Sequence, residues 1–232
     1  MVRVILILGF VCAVAGASCL FEDLFDDGNA EGWTEYNTFP DSAHYTVDGW
    51  YHMEIQYLDA SVSAFSGDDD TTTPWCMSIP DYTFYCKSKT WSPTSHVGFA
   101  VRMESPFSSE QGYMAWLRYT MNDVVLWRHD GPGSYVQLAS HPWTLEHGEE
   151  YWIRLDAWGG SLKVKVWQGT FWDEPSGYII EAYDNTYQGP GSLGMGCHSW
   201  GTVQNHAAFD SVMVCDPLSL EMNTWAGIKT LF

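Results

Sequence analysis

The sequence predicts an all-β protein in which two antiparallel sheets pack face to face. After the first residues it contains no amphipathic helical pattern, and short runs of alternating apolar and polar residues recur between turn signals, as is typical of a sandwich. The clearest hairpin joins 151–158 to 161–168 across Gly159-Gly160. At 232 residues, the chain is long enough for one such domain to bury a substantial core.

The alternation places most strands, in chain order. The predicted strands are 20–25, 44–47, 50–57, 97–104, 113–119, 124–129, 135–140, 151–158, 161–168, 178–182, 193–200 and 207–214. His141-Pro142 is expected to end the strand before it. Residues 60–88, in which three consecutive aspartates are followed by three consecutive threonines, are predicted to be a long surface loop with one or two short strands.

The first 17 residues have the layout of a secretory signal peptide. Arg3 precedes an apolar run, and Ala15-Gly16-Ala17 fits a small-residue cleavage site. The run is shorter than the roughly 20 residues of a membrane span. We therefore expect a protein that is secreted or at the cell surface, of bacterial origin. A lipoprotein with lipid on Cys19 is the alternative, although Gly16 stands where its signal prefers Leu or Val.

We accordingly assign 1–17 to the signal peptide, 18–216 to one domain and 217–232 to a C-terminal tail. The tail is interpreted either as an ordinary terminal segment or as a sorting or anchoring segment. The formal net charge of −19 disfavours nucleic acid, anionic membranes and anionic polysaccharides. Neutral glycans, divalent cations and basic partners remain compatible with it. The 13 tryptophans suit either a β-sandwich core or stacking on sugar rings.

Several motifs occur in a characteristic order: 21–28 (FEDLFDDG), 47–51 (VDGWY), the hairpin 152–167, and 184–193 (DNTYQGPGSL) followed by 209–214 (FDSVMV). Together they resemble concanavalin A-like or laminin-G-like jelly-roll domains over about residues 20–215. The resemblance implies two antiparallel sheets, one of them concave, with the first and last strands paired. Relatives on this fold include carbohydrate-binding modules and glycoside hydrolase family 16.

The cysteines of an exported chain can form disulfides. Cys76 and Cys86 lie ten residues apart, and we expect a bridge across the intervening segment. The resemblance implies that Cys19, at the start of the first strand, lies beside Cys215, at the end of the last, and we expect a second bridge there. Cys197 would then be a buried free thiol.

Glycoside hydrolase family 16 carries Glu-x-Asp-x-x-Glu on one strand, because retaining hydrolysis needs two carboxyls about 5–5.5 Å apart. No predicted strand here has that pattern: Glu149 and Glu150 point to opposite faces, and Glu104 stands alone. Residues that lyases of this fold use are present but form no lyase signature: Arg102, Arg118, His129 and His198. We therefore interpret the chain as non-catalytic, with a glycosidase or lyase as the alternative.

Alternation brings candidate ligand-binding residues to one face of the sheet. Trp116 and Arg118 share a face of 113–119, His198 and Trp200 share a face of 193–200, and Arg102 lies on the polar face of 97–104. Small neighbouring residues would leave room for a ligand. The tryptophans would stack on sugar rings, and the other three side chains would hydrogen bond to hydroxyls. The other interpretation is that the long loop covers these aromatics.

The resemblance also implies a structural Ca²⁺ where the first strand, the Asp-Gly turn and the last strand meet. The matching oxygen ligands are Glu22, the Gly49 carbonyl and Asp210. An acidic turn without metal is the alternative. The sequence thus predicts an exported, lectin-like module that binds a glycan in a shallow aromatic groove, with an adhesion or structural protein that binds protein as a further alternative.

Overall fold

The structure, a computed structural model, describes residues 19–37, 43–55, 62–68, 79–104, 111–199 and 204–215. These residues form strands joined by turns, with a 3-10 turn at Phe171–Asp173. The strands are β1 Cys19–Asp23, β2 Trp33–Asn37, β3 Ala43–Val47, β4 Tyr51–Ile55, β5 Val62–Asp68, β6 Tyr82–Thr90, β7 Ser95–Met103, β8 Gln111–Arg118, β9 Asp123–Gly131, β10 Ser134–Pro142, β11 Glu150–Trp158, β12 Ser161–Trp167, β13 Ile180–Tyr183, β14 Ser192–Ser199 and β15 Asn205–Cys215.

The strands make two sheets, and all of the pairings seen in them are antiparallel. The first sheet has the order β13-β12-β11-β6-β15-β4-β3, with β1 also paired to β15. The second sheet has the order β10-β9-β8-β7-β14-β5-β2. The predicted all-β sandwich of two antiparallel sheets is therefore confirmed. None of the helical structure in the described ranges is long and apolar enough to cross a bilayer.

The first and last described strands lie side by side, as the resemblance implied. Phe21 of β1 is paired with Val214 of β15, and Cys19 is paired with Cys215. The backbone therefore brings the two cysteines to neighbouring positions, which a bridge between them requires. The bridge itself stays a prediction.

The core lies between the sheets, on the inward faces of alternating residues. Phe84 of β6, Phe99 of β7 and Phe209 of β15 meet there and are fully buried. The ring centroids of Phe84 and Phe99 are 6.4 Å apart, and those of Phe99 and Phe209 are 6.0 Å apart. Each such side chain contributes roughly 1.5–3 kcal/mol of burial free energy, so these contacts across the sheets hold the two layers together.

Residues 60–88, predicted as a long surface loop with one or two short strands, contain more strand than expected. β5 lies within this range and β6 begins in it, and β6 is a nine-residue strand between β11 and β15 in the first sheet. Residues 82–86 are buried on both faces, since Thr83 and Tyr85 pack outside the sandwich and Phe84 inside it. A strand buried on both sides shows no alternation of apolar and polar residues, which explains why the pattern was missed.

Two other strands differ from their predictions. β10 continues through Pro142 instead of ending before it. Because β10 is the edge strand of the second sheet, proline at its end removes no ladder hydrogen bond. β2, at the opposite edge, begins at Trp33 and was not predicted as a strand.

The predicted Cys76–Cys86 bridge is wrong, because Cys86 is not in a disulfide. The Cys86 thiol is free and fully buried in the core between the sheets, with its sulfur 3.9 Å from that of Met195. Position 86 faces inward because it alternates with Tyr82 and Phe84 along β6, and this directs the thiol away from the surface. Cys76 lies outside the described residues. Cys197 is a buried free thiol, as predicted.

Thiol labelling will test these assignments. Burial raises the pKa of the Cys86 and Cys197 thiols, so neither should react with iodoacetamide in the native protein at pH 8. Both should be alkylated in guanidinium without reductant, while Cys19 and Cys215 stay linked to each other. Peptide mass spectrometry identifies the alkylated cysteines and any disulfide-linked peptides. Recovery of a peptide pair joined through Cys86 would contradict the assignment.

Candidate functional site

The outer face of the second sheet carries three of the predicted ligand-binding residues. Trp116 and Arg118 lie two apart on β8, and the β7–β8 register pairs Arg118 with His96. His96 is in turn paired with His198 of β14. The alternation that turns Ala115 and Leu117 into the core therefore turns Trp116 and Arg118 outward, beside His198.

Trp116 is not an open stacking surface. It is only 4% exposed and packs with Ala100, Met114 and Val125. A Cβ placed on Gly98, the cross-strand partner of Trp116, would lie 2.9 Å from the indole ring. The small residue predicted to leave room for a ligand therefore makes room for Trp116 itself. Its ring centroid is 6.1 Å from that of His198 and 6.5 Å from that of Trp127.

The charge of Arg118 is neutralised in place. Its Nε donates to Asp123 Oδ1 at 2.7 Å, and its Nη2 donates to Asp123 Oδ2. The guanidinium carbon also lies 5.6 Å from the centre of the Trp127 ring. Such a bidentate pair fixes the planar group in one orientation. Arg118 therefore packs against the Trp127 ring in a fixed orientation, and its positive charge is already paired with Asp123.

Three histidines on this face are held neutral by burial. Burial lowers the pKa of His129 and of His198 to about 4. Burial, with the nearby His198 and Arg118, lowers the pKa of His96 to about 3. The His96 Nε2 atom is 2.9 Å from the Thr120 hydroxyl oxygen. Near neutral pH, imidazoles of this kind act as uncharged hydrogen-bonding groups.

The most exposed aromatic ring of this face was missed from sequence. Tyr135 of β10 is 52% exposed and stacks on Trp127 of β9, with centroids 4.7 Å apart and planes 14° apart. His129, the cross-strand partner of Tyr135, lies beside both rings, with centroids 6.1 Å from Trp127 and 5.8 Å from Tyr135. The alternation of Val125, Trp127 and His129 along β9 was the available signal. We call Trp116, Trp127, His129, Tyr135 and His198 the aromatic face.

Arg102 does not belong to the aromatic face. It is 1% exposed, and its guanidinium donates to the carbonyls of Pro80, Gly159 and Tyr187 at 2.7, 2.6 and 3.1 Å and to Asp81 Oδ1 at 2.9 Å. Its φ of 53° lies in the left-handed region, near an irregularity in the β7–β14 register. That local distortion breaks the alternation on which the prediction depended. Trp200, the remaining predicted residue, lies outside the described residues.

The described residues do not fit the predicted calcium site. Asp210 Oδ2 is 2.5 Å from Lys87 Nζ, so an ammonium group already neutralises that carboxylate. Lys87 also lies 4.6 Å from the centre of the Trp50 ring, next to the Gly49 turn. Glu22 is exposed on β1. Nowhere in the described ranges do three His, Cys, Asp or Glu side chains converge on a metal position.

The outer face of the first sheet has a different character, because charged groups there are joined into pairs. Glu174 accepts hydrogen bonds from Arg154 and Lys165 at 2.8 and 2.6 Å. Lys163 pairs with Glu181 at 2.9 Å. These carboxylates are therefore paired with cations. The aromatic face offers flat rings and uncharged polar groups, which can stack on and hydrogen bond to a ligand.

Comparisons with known proteins were made on sequence and on structure. No protein-family model matches the chain, and no curated protein matches it. Solved structures do match, and the three described below share the fold of this chain at low sequence identity.

A carbohydrate-binding module, CBM66 from Bacillus subtilis, is 17% identical with a TM-score of 0.56, over 81% of this chain and 98% of that one. A Bacillus subtilis protein of unknown function with a galectin-like fold is 12% identical with a TM-score of 0.59, over 87% and 97%. The Ca²⁺-bound exoplasmic/lumenal domain of VIP36 is 11% identical with a TM-score of 0.57, over 81% and 84%. The chain thus has a lectin-type sandwich fold.

Arg102 should be a structural residue. Arg102→Met removes the partner of Asp81 and of three carbonyls, and should lower the free energy of unfolding by about 3–5 kcal/mol. Lys163→Met is the control, because it breaks the exposed pair with Glu181 and should cost less than about 1 kcal/mol. Urea unfolding measures both. Equal losses in the two variants would contradict this role.

Buried neutral histidines should make stability depend on pH. His129 titrates near pH 6.5 when unfolded and near 4 when folded, so the unfolded chain binds the extra proton in that window and stability falls as pH falls. Between pH 7 and 5 this loss is about 2 kcal/mol. His129→Phe should reduce the loss by that amount in urea unfolding series. An unchanged pH dependence would show that His129 is not buried as a neutral group.

Proposed function

We propose that this protein is a lectin-like carbohydrate-binding protein that holds an uncharged glycan on its aromatic face and does not cleave it. The observation that carries the proposal is the cluster of Trp127, Tyr135 and His129, in which flat aromatic surface lies next to an uncharged polar group. Sugar rings have apolar C–H faces and hydroxyl edges, so a site for them needs both kinds of surface.

The similar solved structures support the proposal at the level of fold. CBM66 is a carbohydrate-binding module, and the structure of VIP36 is also known in a Ca²⁺/Man3GlcNAc-bound form. The fold is one on which other chains hold sugars. Because one fold can host many functions, the aromatic face of this chain has to carry the argument.

Charge restricts the class of ligand. The net charge of −19 repels polyanions at long range, and the Arg118 guanidinium on the aromatic face is paired with Asp123. A neutral polysaccharide meets no such repulsion. The layout of residues 1–17 favours export from a bacterial cell. An exported protein would meet neutral polysaccharides outside the cell or on its surface.

Binding to a panel of soluble polysaccharides will test the proposal. We expect at least one neutral member among mannan, β-glucan, galactan and fructan to bind in titration calorimetry, and polygalacturonate and alginate not to bind. Trp127→Ala should weaken this binding by at least about tenfold, as loss of a central tryptophan anchor does. Tyr183→Ala is the matched control, because Tyr183 is 72% exposed on β13 of the other sheet.

The same incubations separate binding from catalysis. We expect no release of reducing ends and no absorbance from unsaturated uronates over a day. Release of either product, abolished by Trp127→Ala, would show an enzyme on this fold. A blank panel together with a stable protein complex would instead favour an adhesion protein.

A further inference from the structure

Part of the chain itself occupies the stacking surface of Trp127. Tyr135 covers one face of the indole at a centroid distance of 4.7 Å, nearly parallel to it. No hydrogen bond joins the Tyr135 hydroxyl to any residue that the structure describes, and the side chain projects from the edge strand β10. Contacts with the neighbouring rings therefore hold the phenol in place, and they can be exchanged for contacts with another flat group.

The group next to this stack has an unused hydrogen-bonding atom. His129 Nε2 is buried and has no hydrogen-bond partner among the described residues, and the whole residue is only 7% exposed. Buried polar atoms in native structures are nearly always paired, and each exception calls for an explanation. A ligand hydroxyl that reached Nε2 would supply the missing partner.

The surroundings of the stack indicate an uncharged ligand. The Arg118 guanidinium lies 5.6 Å from the Trp127 ring centre and is bound to Asp123 through two nitrogens. A carboxylate or sulfate in this place would have to be desolvated, and Arg118 is already paired with Asp123 and does not offer it a free charge. A neutral ring with hydroxyls carries no such cost.

We propose that Trp127 and His129 form a sugar subsite that Tyr135 covers in the free protein, and that an uncharged sugar ring takes the place of the tyrosine ring. This inference rests on the proposed function. On binding, the Tyr135 side chain rotates away from β9, the sugar ring stacks on the uncovered indole, and one hydroxyl hydrogen bonds to His129 Nε2. Tyr135 is then a cover and not a stacking platform.

A cover lowers the apparent affinity, because only the open fraction of the protein can bind. Removing the cover should therefore tighten binding, whereas removing a platform would weaken it. Tyr135→Ala distinguishes these cases directly. The substitution replaces a half-exposed side chain on an edge strand, so folding should be preserved, which near-UV circular dichroism and the urea midpoint will verify.

We expect Tyr135→Ala to bind the neutral polysaccharides about 2- to 10-fold more tightly than the wild type, the range that corresponds to one aromatic stack. Adding His129→Phe to Tyr135→Ala should weaken binding about 3- to 10-fold, because Phe keeps the ring and loses Nε2. Trp127→Ala should weaken binding in either background. Titration calorimetry with mannan, β-glucan, galactan and fructan measures each variant.

The outcomes separate this inference from the proposed function. If the wild type binds a neutral polysaccharide and Tyr135→Ala binds it equally or more weakly, the cover is disproved and glycan binding stands. If Tyr135→Ala binds only polygalacturonate or alginate, the inference of an uncharged ligand is overturned. If only Tyr135→Ala binds a neutral member, the cover is supported in its strongest form. If neither protein binds any member, the proposed function fails, and the subsite fails with it.

Discussion

The guanidinium of Arg102 ties together one end of the sandwich. It is buried, and its acceptors come from the segment before β6, the β11–β12 turn and the segment before β14. Because a buried cation needs every one of these partners, the three segments cannot shift independently. Asp184 at the same end accepts from Tyr113 and Arg128, and Arg128 also pairs with Asp130. This network fixes the end of β9 and therefore the place of His129.

Residue alternation and turn chemistry were sufficient to predict the sandwich and the β11–β12 hairpin at Gly159-Gly160. They also predicted which side chains of β8 and β14 share a face. Trp116, Arg118 and His198 do lie together, because a strand with one face in the core must turn every second residue outward. The pairing of β1 with β15 followed from the family resemblance, since nothing local in either strand encodes its partner.

Other features depend on contacts that a linear pattern does not contain. The full length of β6 was not recognised because residues 82–86 are buried on both faces and therefore show no alternation of apolar and polar residues. Arg102 was placed on the ligand face because the left-handed conformation at that residue is not visible from residue types. Trp116 was expected to be open because a glycine opposite a tryptophan can leave a gap or receive the ring, and only tertiary packing decides between the two. Tyr135 was overlooked because its importance comes from its stack on a neighbouring strand.

The pairing of β1 with β15 has an architectural consequence. The first and last described strands lie side by side in the first sheet, at Cys19 and Cys215, whereas the aromatic face lies on the outside of the second sheet. The chain therefore enters and leaves the described sandwich in the same layer, opposite the one that carries the aromatic face. The same closeness makes the domain suitable for circular permutation and for splicing into a loop of a host protein, since a short linker can join its ends.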